Sequence, residues 1–164
     1  MNAAAHLSAA AGSSPDSWGP LLQRASEEVF EMMVGCGVET RDPSIPVPFE
    51  FTAMVGFAGL MCGRFTLRSS KRSAVAMASK MLAVSLNDDD AQIWDAIGEI
   101  ANMIAGNFKN KIVGLENRCM LSLPTVITGS DYKYRAMKNS SLLEAHLCFE
   151  GAPLTVAVEV HGST

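Results

Sequence analysis

The strongest constraint on the fold is an amphipathic helix predicted over residues 93–109. At about 100° per residue, one continuous apolar stripe runs along one side of this helix. The stripe consists of Ile93, Ile97, Ile100, Ala101, Ile104 and Phe108. Because a stripe of this kind faces the core of a domain, we expect Ile97, Ile100 and Ile104 to be buried beneath an exposed opposite side.

The exposed side of this helix carries a carboxylate and a carboxamide together. Glu99 and Asn102 are three residues apart, so their side chains lie about one turn apart and point the same way. Asp95, Gly106 and Lys109 share this side and are candidate partner-binding residues. A glycine in an exposed helix costs roughly 1 kcal/mol relative to alanine, so Gly106 indicates that another backbone approaches closely there. We interpret the face as a docking surface that carries a reactive pair.

The Glu-x-x-Asn spacing by itself also has a structural interpretation. The motif is short and arises by chance in many chains of this length. Glutamate is common on the solvent side of helices, and asparagine is tolerated there. On spacing alone, a solvated helix face explains Glu99 and Asn102 without any function.

An internal repeat favours the functional interpretation. Residues 28–35 align without a gap with residues 99–106, with Glu, an apolar residue, Met and Gly at the same offsets. Residues 55–59 similarly resemble residues 147–151. We infer two copies of a helix-then-strands unit, each of about 70 to 90 residues, within one domain. Only the second copy carries the asparagine, since Glu31 takes its place in the first, so one site is predicted.

The rest of the chain predicts helices and antiparallel strands, which together make an α+β layered domain over residues 18–164. Two further helices are expected over residues 18–34 and 74–84, the second opened by Ser69 and Ser70. Strands are expected over residues 49–57, 61–67, 120–127, 142–149 and 154–160, the last two forming a hairpin. Residues 1–17, rich in Ala, Ser and Gly, are predicted to be a disordered tail.

Two motifs in this order resemble one protein family. Residues 95–107, which contain Glu99 and Asn102, are followed by the segment Leu-Pro-Thr-Val-Ile-Thr-Gly at 123–129. Together they resemble the CheX branch of the CheC/CheX/FliY family, phosphatases of phosphorylated CheY in bacterial chemotaxis. The family pattern is Glu-x-x-Asn on a long exposed helix, once in CheX-type members and twice in many CheC-type members. Glu31 in the first copy therefore favours the CheX-like arrangement.

The resemblance implies an enzyme that hydrolyses the aspartyl phosphate of a CheY-type response regulator. The regulator would supply a magnesium ion and a lysine, and no cofactor is expected in this chain. An amide such as Asn102 both donates and accepts hydrogen bonds, so it can orient an attacking water. Glu99 would form an ion pair with the regulator's lysine. The alternative is a module of the same fold that binds a regulator without dephosphorylating it.

The resemblance also implies a homodimer built by joining sheet edges. Residues 154–160 alternate and are uncharged apart from Glu159, and an unprotected edge strand of this kind tends to pair. Pro124 within a predicted strand likewise indicates an edge or a bulge.

Composition argues against several other classes of protein. A net charge of −4 without a basic cluster argues against a nucleic-acid partner. The longest apolar run, residues 51–62, is too short and too strand-like to span a membrane, and we expect a cytoplasmic protein. The cysteines lie far apart inside apolar segments, so buried reduced thiols are favoured over disulfides or a zinc site. They are Cys36, Cys62, Cys119 and Cys148.

Overall fold

A computed structural model describes residues 15–47 and 49–161, which form three α-helices and one seven-stranded sheet. The helices are α1 (Gly19–Val29), α2 (Lys71–Leu82) and α3 (Gln92–Asn110). The strands are β1 (Glu39–Thr40), β2 (Phe51–Gly59), β3 (Gly63–Ser69), β4 (Cys119–Leu121), β5 (Thr125–Thr128), β6 (Ser140–Phe149) and β7 (Ala152–His161). The predicted α+β class is confirmed.

The sheet is antiparallel throughout and has the order β1-β6-β7-β3-β2, with β4 and β5 both paired to the outer side of β2. Alternate residues of the long strands face the helices, so the apolar sets of β2, β3 and β7 join one core with α1, α2 and α3. The result is a helical layer on one face of a sheet, an arrangement that buries one stripe of each helix and one face of each strand.

The two copies of the repeat interlock in this sheet. The first unit supplies α1, β1 and the β2–β3 hairpin, and the second supplies α3, β4 with β5, and the β6–β7 hairpin. Each hairpin is flanked by the short strands of the other unit: β1 pairs with β6, while β4 and β5 pair one after the other with β2. The hairpins meet where β3 pairs with β7. The strand order is therefore the same from either end, which confirms the tandem repeat.

The apolar stripe of α3 forms the centre of the core. All six of its predicted members are fully buried, namely Ile93, Ile97, Ile100, Ala101, Ile104 and Phe108. The indole of Trp18, just before α1, packs edge-on against the ring of Phe108, with ring centroids 6.4 Å apart. Burial of so many large side chains fixes the rotation of α3 about its axis, and so decides which residues face outward.

The helix ends follow the capping residues in the sequence. The hydroxyl of Ser70 accepts a hydrogen bond from the amide of Ser73, and α2 accordingly begins at Lys71. The carboxylate of Asp90 accepts one from the amide of Gln92 at the start of α3. After α1, one π-helical turn at Phe30–Val34 extends the helix to Gly35, whose φ of 78° ends it.

The N-terminal tail was predicted over residues 1–17. Its last three residues, Pro15–Ser17, form one 3-10 turn, while residues 1–14 lie outside the described residues. Within the described part of the chain, no helix is both long and apolar enough to cross a membrane.

The prediction that residues 154–160 form a free sheet edge is wrong. These residues lie in β7, which is hydrogen-bonded to β3 on one side and to β6 on the other. Glu159 is fully buried there, where its carboxylate pairs with Arg64 at 2.6 Å and accepts a hydrogen bond from the amide of Met137. The strand has almost no charge because both of its faces are buried, since residues before β6 cover the side of the sheet away from the helices.

Candidate functional site

The predicted pair lies on the outward side of α3. Glu99 is exposed and Asn102 is half-buried, with the buried stripe directly behind them. Among the described residues, none forms a hydrogen bond or ion pair with either side chain. Asp95, one turn before Glu99, is exposed on the same side. The structure therefore presents a carboxylate and a carboxamide on a rigid helix, both available to an incoming molecule.

The connection between β4 and β5 runs alongside the pair. A methyl group added at Gly98 would lie 3.4 Å from Cγ of Pro124, and one at Gly106 would lie 3.6 Å from Cδ1 of Leu121. Gly98, Asn102 and Gly106 are four residues apart and form one row along α3. The segment from Leu121 to Pro124 runs past this row in the direction opposite to α3. Asn102 therefore lies between the Gly106–Leu121 contact and the Gly98–Pro124 contact, which accounts for its half-buried state.

Two of the predicted partner-binding residues make contacts within the chain. The close approach expected at Gly106 comes from the side chain of Leu121 rather than from another backbone. The ammonium of Lys109 donates a hydrogen bond to the main-chain carbonyl of Glu116 and so ties the end of α3 to the following turn. Of the five predicted site residues, the structure therefore leaves Asp95, Glu99 and Asn102 on one accessible face.

Of the two glycines on α3 that contact this segment, Gly98 has the closer neighbour, and the sequence analysis did not single it out. It is fully packed against Pro124 and Val126, whereas Gly106 is half-buried. Both partners of this contact are visible in the sequence, as a glycine next to Glu99 and as the proline of the 123–129 segment. Neither segment contains a signal that the two residues are in contact.

The described cysteines and acidic residues do not meet the requirements of a metal site. Among the described residues, no group of three or more His, Cys, Asp or Glu side chains could hold a metal ion. All four cysteines are free thiols, as predicted, but only Cys119 is buried. Cys62 is exposed because it lies in the turn between β2 and β3.

Glu28, the residue of the first copy that aligns with Glu99, makes contacts within the chain. The carboxylate of Glu28 on α1 pairs with Lys111 at 2.7 Å, accepts a hydrogen bond from Asn107 at 2.9 Å and pairs with Arg24 at 2.9 Å. These contacts, that with Lys111 first, lower the pKa of Glu28 to about 2. Glu28 therefore joins α1 to α3 and is not available to a partner. The residue of the first copy that aligns with Asn102 is Glu31, which is exposed.

The Glu28 contacts predict a specific dependence of stability on acid pH. The pKa of Glu28 is lower in the folded chain than its ordinary value of 4.5. The contacts of the Glu28 carboxylate therefore stabilise the fold fully above pH 4.5, and this stabilisation is lost as the pH falls toward about 2. Glu28→Gln should therefore lower the melting temperature most near neutral pH, and the wild-type and variant curves should converge in acid. Thermal denaturation followed by circular dichroism checks this, with Glu31→Gln as the matched control. A constant difference between pH 7 and pH 2 would contradict the assignment.

Comparison with known proteins identifies the family to which this chain belongs. The sequence model described as "Chemotaxis phosphatase CheX" matches residues 51–147, more than half of the chain, including the helix with Glu99 and Asn102. The chain belongs to the CheX family. A curated relative, the CheY-P phosphatase CheX of Thermotoga maritima, is 28% identical over 114 residues, covering 66% of this chain and 74% of the relative.

Solved structures of CheX proteins share the fold. A CheX from Vibrio vulnificus superposes with a TM-score of 0.77 at 16% identity, covering 88% of this chain and 97% of that one. The CheX–CheY–BeF3–Mg2+ complex from Borrelia burgdorferi contains a chain with a TM-score of 0.74 at 22% identity, covering 88% of this chain and 98% of that one. The interlocked repeat is therefore the CheX fold.

Proposed function

We propose that this chain is a phosphatase that hydrolyses the aspartyl phosphate of a CheY-type response regulator in the cytoplasm. The observation that carries the proposal is the unpartnered pair of Glu99 and Asn102 on the exposed face of α3, held by a fully buried stripe. The curated relative in Thermotoga maritima is a CheY-P phosphatase, which supports the same reaction here.

The reaction needs little covalent chemistry from the protein. The oxygen of a water molecule forms a bond to phosphorus while the bond from phosphorus to the aspartyl oxygen breaks, which releases inorganic phosphate and the free carboxylate. Catalysis of such a step consists mainly of positioning and electrostatic stabilisation. The amide of Asn102 suits this task because its oxygen can accept a hydrogen bond from the water and its NH2 group can donate one. An amide does not act as a general base, so orientation is its contribution.

Glu99 has a separate role in this proposal. Its carboxylate would pair with the lysine beside the phosphorylated aspartate of the regulator, which fixes the docked geometry. Asp95 adds a second negative charge to the same face, which attracts a basic surface during approach. The magnesium ion would belong to the regulator, and this chain would contribute no cofactor.

A binding module of the same fold is the competing hypothesis. Such a module would need Glu99 for docking but would gain nothing from a carboxamide with no partner at position 102. A carboxylate at that position, as Glu31 provides in the first copy, would repel the phosphoryl group and could not donate a hydrogen bond. The presence of Asn102 therefore favours the enzyme.

The proposed phosphatase activity is tested by timing phosphate loss from phosphorylated regulators of the same organism. With the purified chain present in less than equimolar amount, we expect loss of the aspartyl phosphate of one regulator to be faster than in its absence. If every regulator loses phosphate at its own intrinsic rate but one still binds the chain, the binding-module hypothesis is correct.

We also propose that the chain forms a homodimer through the outer edge of β6. Strand β1 covers only Leu147 and Cys148 of β6, and the amide of Arg41 adds one hydrogen bond at His146. No other described strand pairs with the outer side of residues 140–145. Two such edges can pair about a two-fold axis and join the sheets. Light scattering at micromolar concentration should give twice the 17.5 kDa chain mass, and a strict monomer would contradict the dimer.

A further inference from the structure

Large apolar side chains of β4 and of the segment that follows it are exposed to solvent. Leu123 is 88% exposed and Met120 is 75% exposed. Met120 lies on the face of the sheet away from the helices, because it pairs with Ala58 while its neighbour Leu121 faces α3. Their neighbours point inward, with Leu121 at Gly106 and Pro124 at Gly98. Within the 123–129 motif, Pro124 and Val126 therefore contact α3, whereas Leu123 is exposed.

Leu123 lies level with Asn102. The contact of Leu121 with Gly106 and that of Pro124 with Gly98 bracket the row on which Asn102 stands. Because the segment runs antiparallel to α3, residues 122 and 123 lie between the two contacts. The exposed Leu123 therefore lies on the stretch of this segment that is level with the site amide.

The position of Leu123 is held by the sheet. The amide of Ser122 donates to the carbonyl of Gly56 at 2.9 Å, and the amide of Gly56 donates to the hydroxyl of Ser122 at 2.8 Å. The ring of Pro124 fixes the backbone on the other side of Leu123. Because the backbone on both sides of Leu123 is already fixed, only its side chain loses conformational freedom when a partner covers it, which favours a role as an anchor.

We propose that Leu123 forms the apolar contact that seats the phosphorylated regulator against α3. In the docked complex, Leu123 covers the reacting group from the side of Asn102 and excludes all but the oriented water. Charged Glu99 and Asp95 lie on the other side of the site, so the interface has an apolar part and an acidic part. This inference rests on the proposed function and assigns a role to the 123–129 motif.

The regulator is a better occupant of this surface than a second copy of the chain. The open strand edge proposed for self-association belongs to β6, near one end of the sheet, whereas β4 and β5 form the other end. Leu123 also adjoins the row of α3 on which Asn102 stands, so one incoming molecule can contact both.

The test compares Leu123→Ala with Met120→Ala and Met137→Ala. Met137 is 68% exposed, but it lies before β6, where its amide contacts Glu159 on the sheet face away from the helices. The regulator is first activated with beryllofluoride and magnesium, which allows binding to be measured without turnover. We expect Leu123→Ala to raise both the Kd for this complex and the KM for the phosphorylated regulator by about tenfold or more. Met120→Ala and Met137→Ala should have no effect, because both residues lie on the sheet face away from the helices.

The outcomes separate this inference from the proposed function. If the wild-type chain dephosphorylates the regulator and Leu123→Ala does so with unchanged Kd and KM, the docking contact is wrong and the phosphatase stands. If the wild-type chain neither binds nor dephosphorylates any regulator, both fail. If Leu123→Ala instead halves the mass measured by light scattering at unchanged Kd, the surface is covered by a second copy and the inference is overturned.

Discussion

Replacing Asn102 with alanine should slow catalysed dephosphorylation by about 100-fold or more, while binding of the regulator stays close to the wild-type value. The substitution removes the group that orients the water but leaves the carboxylate of Glu99, and loss of one such positioning group has effects of this size. Phosphate release from a preformed phosphorylated regulator measures the rate, and titration with the beryllofluoride-activated regulator measures binding.

The control for this prediction is Asn110→Ala. Asn110 is the last residue of the same helix and is exposed, so the same substitution there tests for nonspecific effects on α3. It should leave rate and binding unchanged. Neither variant should alter the free energy of unfolding by more than roughly 0.5 kcal/mol. Full activity of Asn102→Ala would remove the carboxamide from the mechanism.

Replacing Glu99 with alanine should weaken both binding and rate, by about tenfold or more at low salt, because it removes the proposed ion pair with the regulator's lysine. The loss should become smaller as the salt concentration rises, since salt already screens the charges in the wild-type complex. Binding titrations at several ionic strengths measure both effects.

Glu31→Ala provides the comparison for Glu99→Ala. Glu31 is an exposed carboxylate in the first copy of the repeat, so its removal changes the net charge by the same amount at a different place. Binding should stay at the wild-type value at every salt concentration. An equal loss of affinity in both variants would show that the effect comes from net charge rather than from a specific pair.

The sequence predicted the parts of this molecule that depend on local pattern. The apolar stripe of α3 follows from helical periodicity, and that periodicity also put Glu99 and Asn102 on the exposed side. The proline in the 120–127 segment correctly indicated a sheet edge, since the predicted strand is broken into β4 and β5 along the outer side of β2. The repeat indicated two units, and the structure shows how they interlock.

The sequence did not predict features that depend on contacts between distant segments. Strand β7 looked like a free edge because its pairing with β3 and β6, and the burial of Glu159 beside Arg64, are set by the topology of the whole sheet. Glu28 looked like a copy of Glu99 because its partners are distant in sequence, namely Asn107 on α3 and Lys111 just after it. In each case, the local sequence gives a residue's own preference but not the identity of its neighbour.

The most direct test of the central claim is the loss of aspartyl phosphate from one regulator, followed side by side with the wild-type chain and with Asn102→Ala. Both should be used in less than equimolar amount, so that any acceleration requires turnover. We predict that the wild-type chain will remove phosphate from many regulator molecules, whereas the variant will bind the regulator and leave the intrinsic rate nearly unchanged. Equal rates with the two proteins would contradict catalysis at this site.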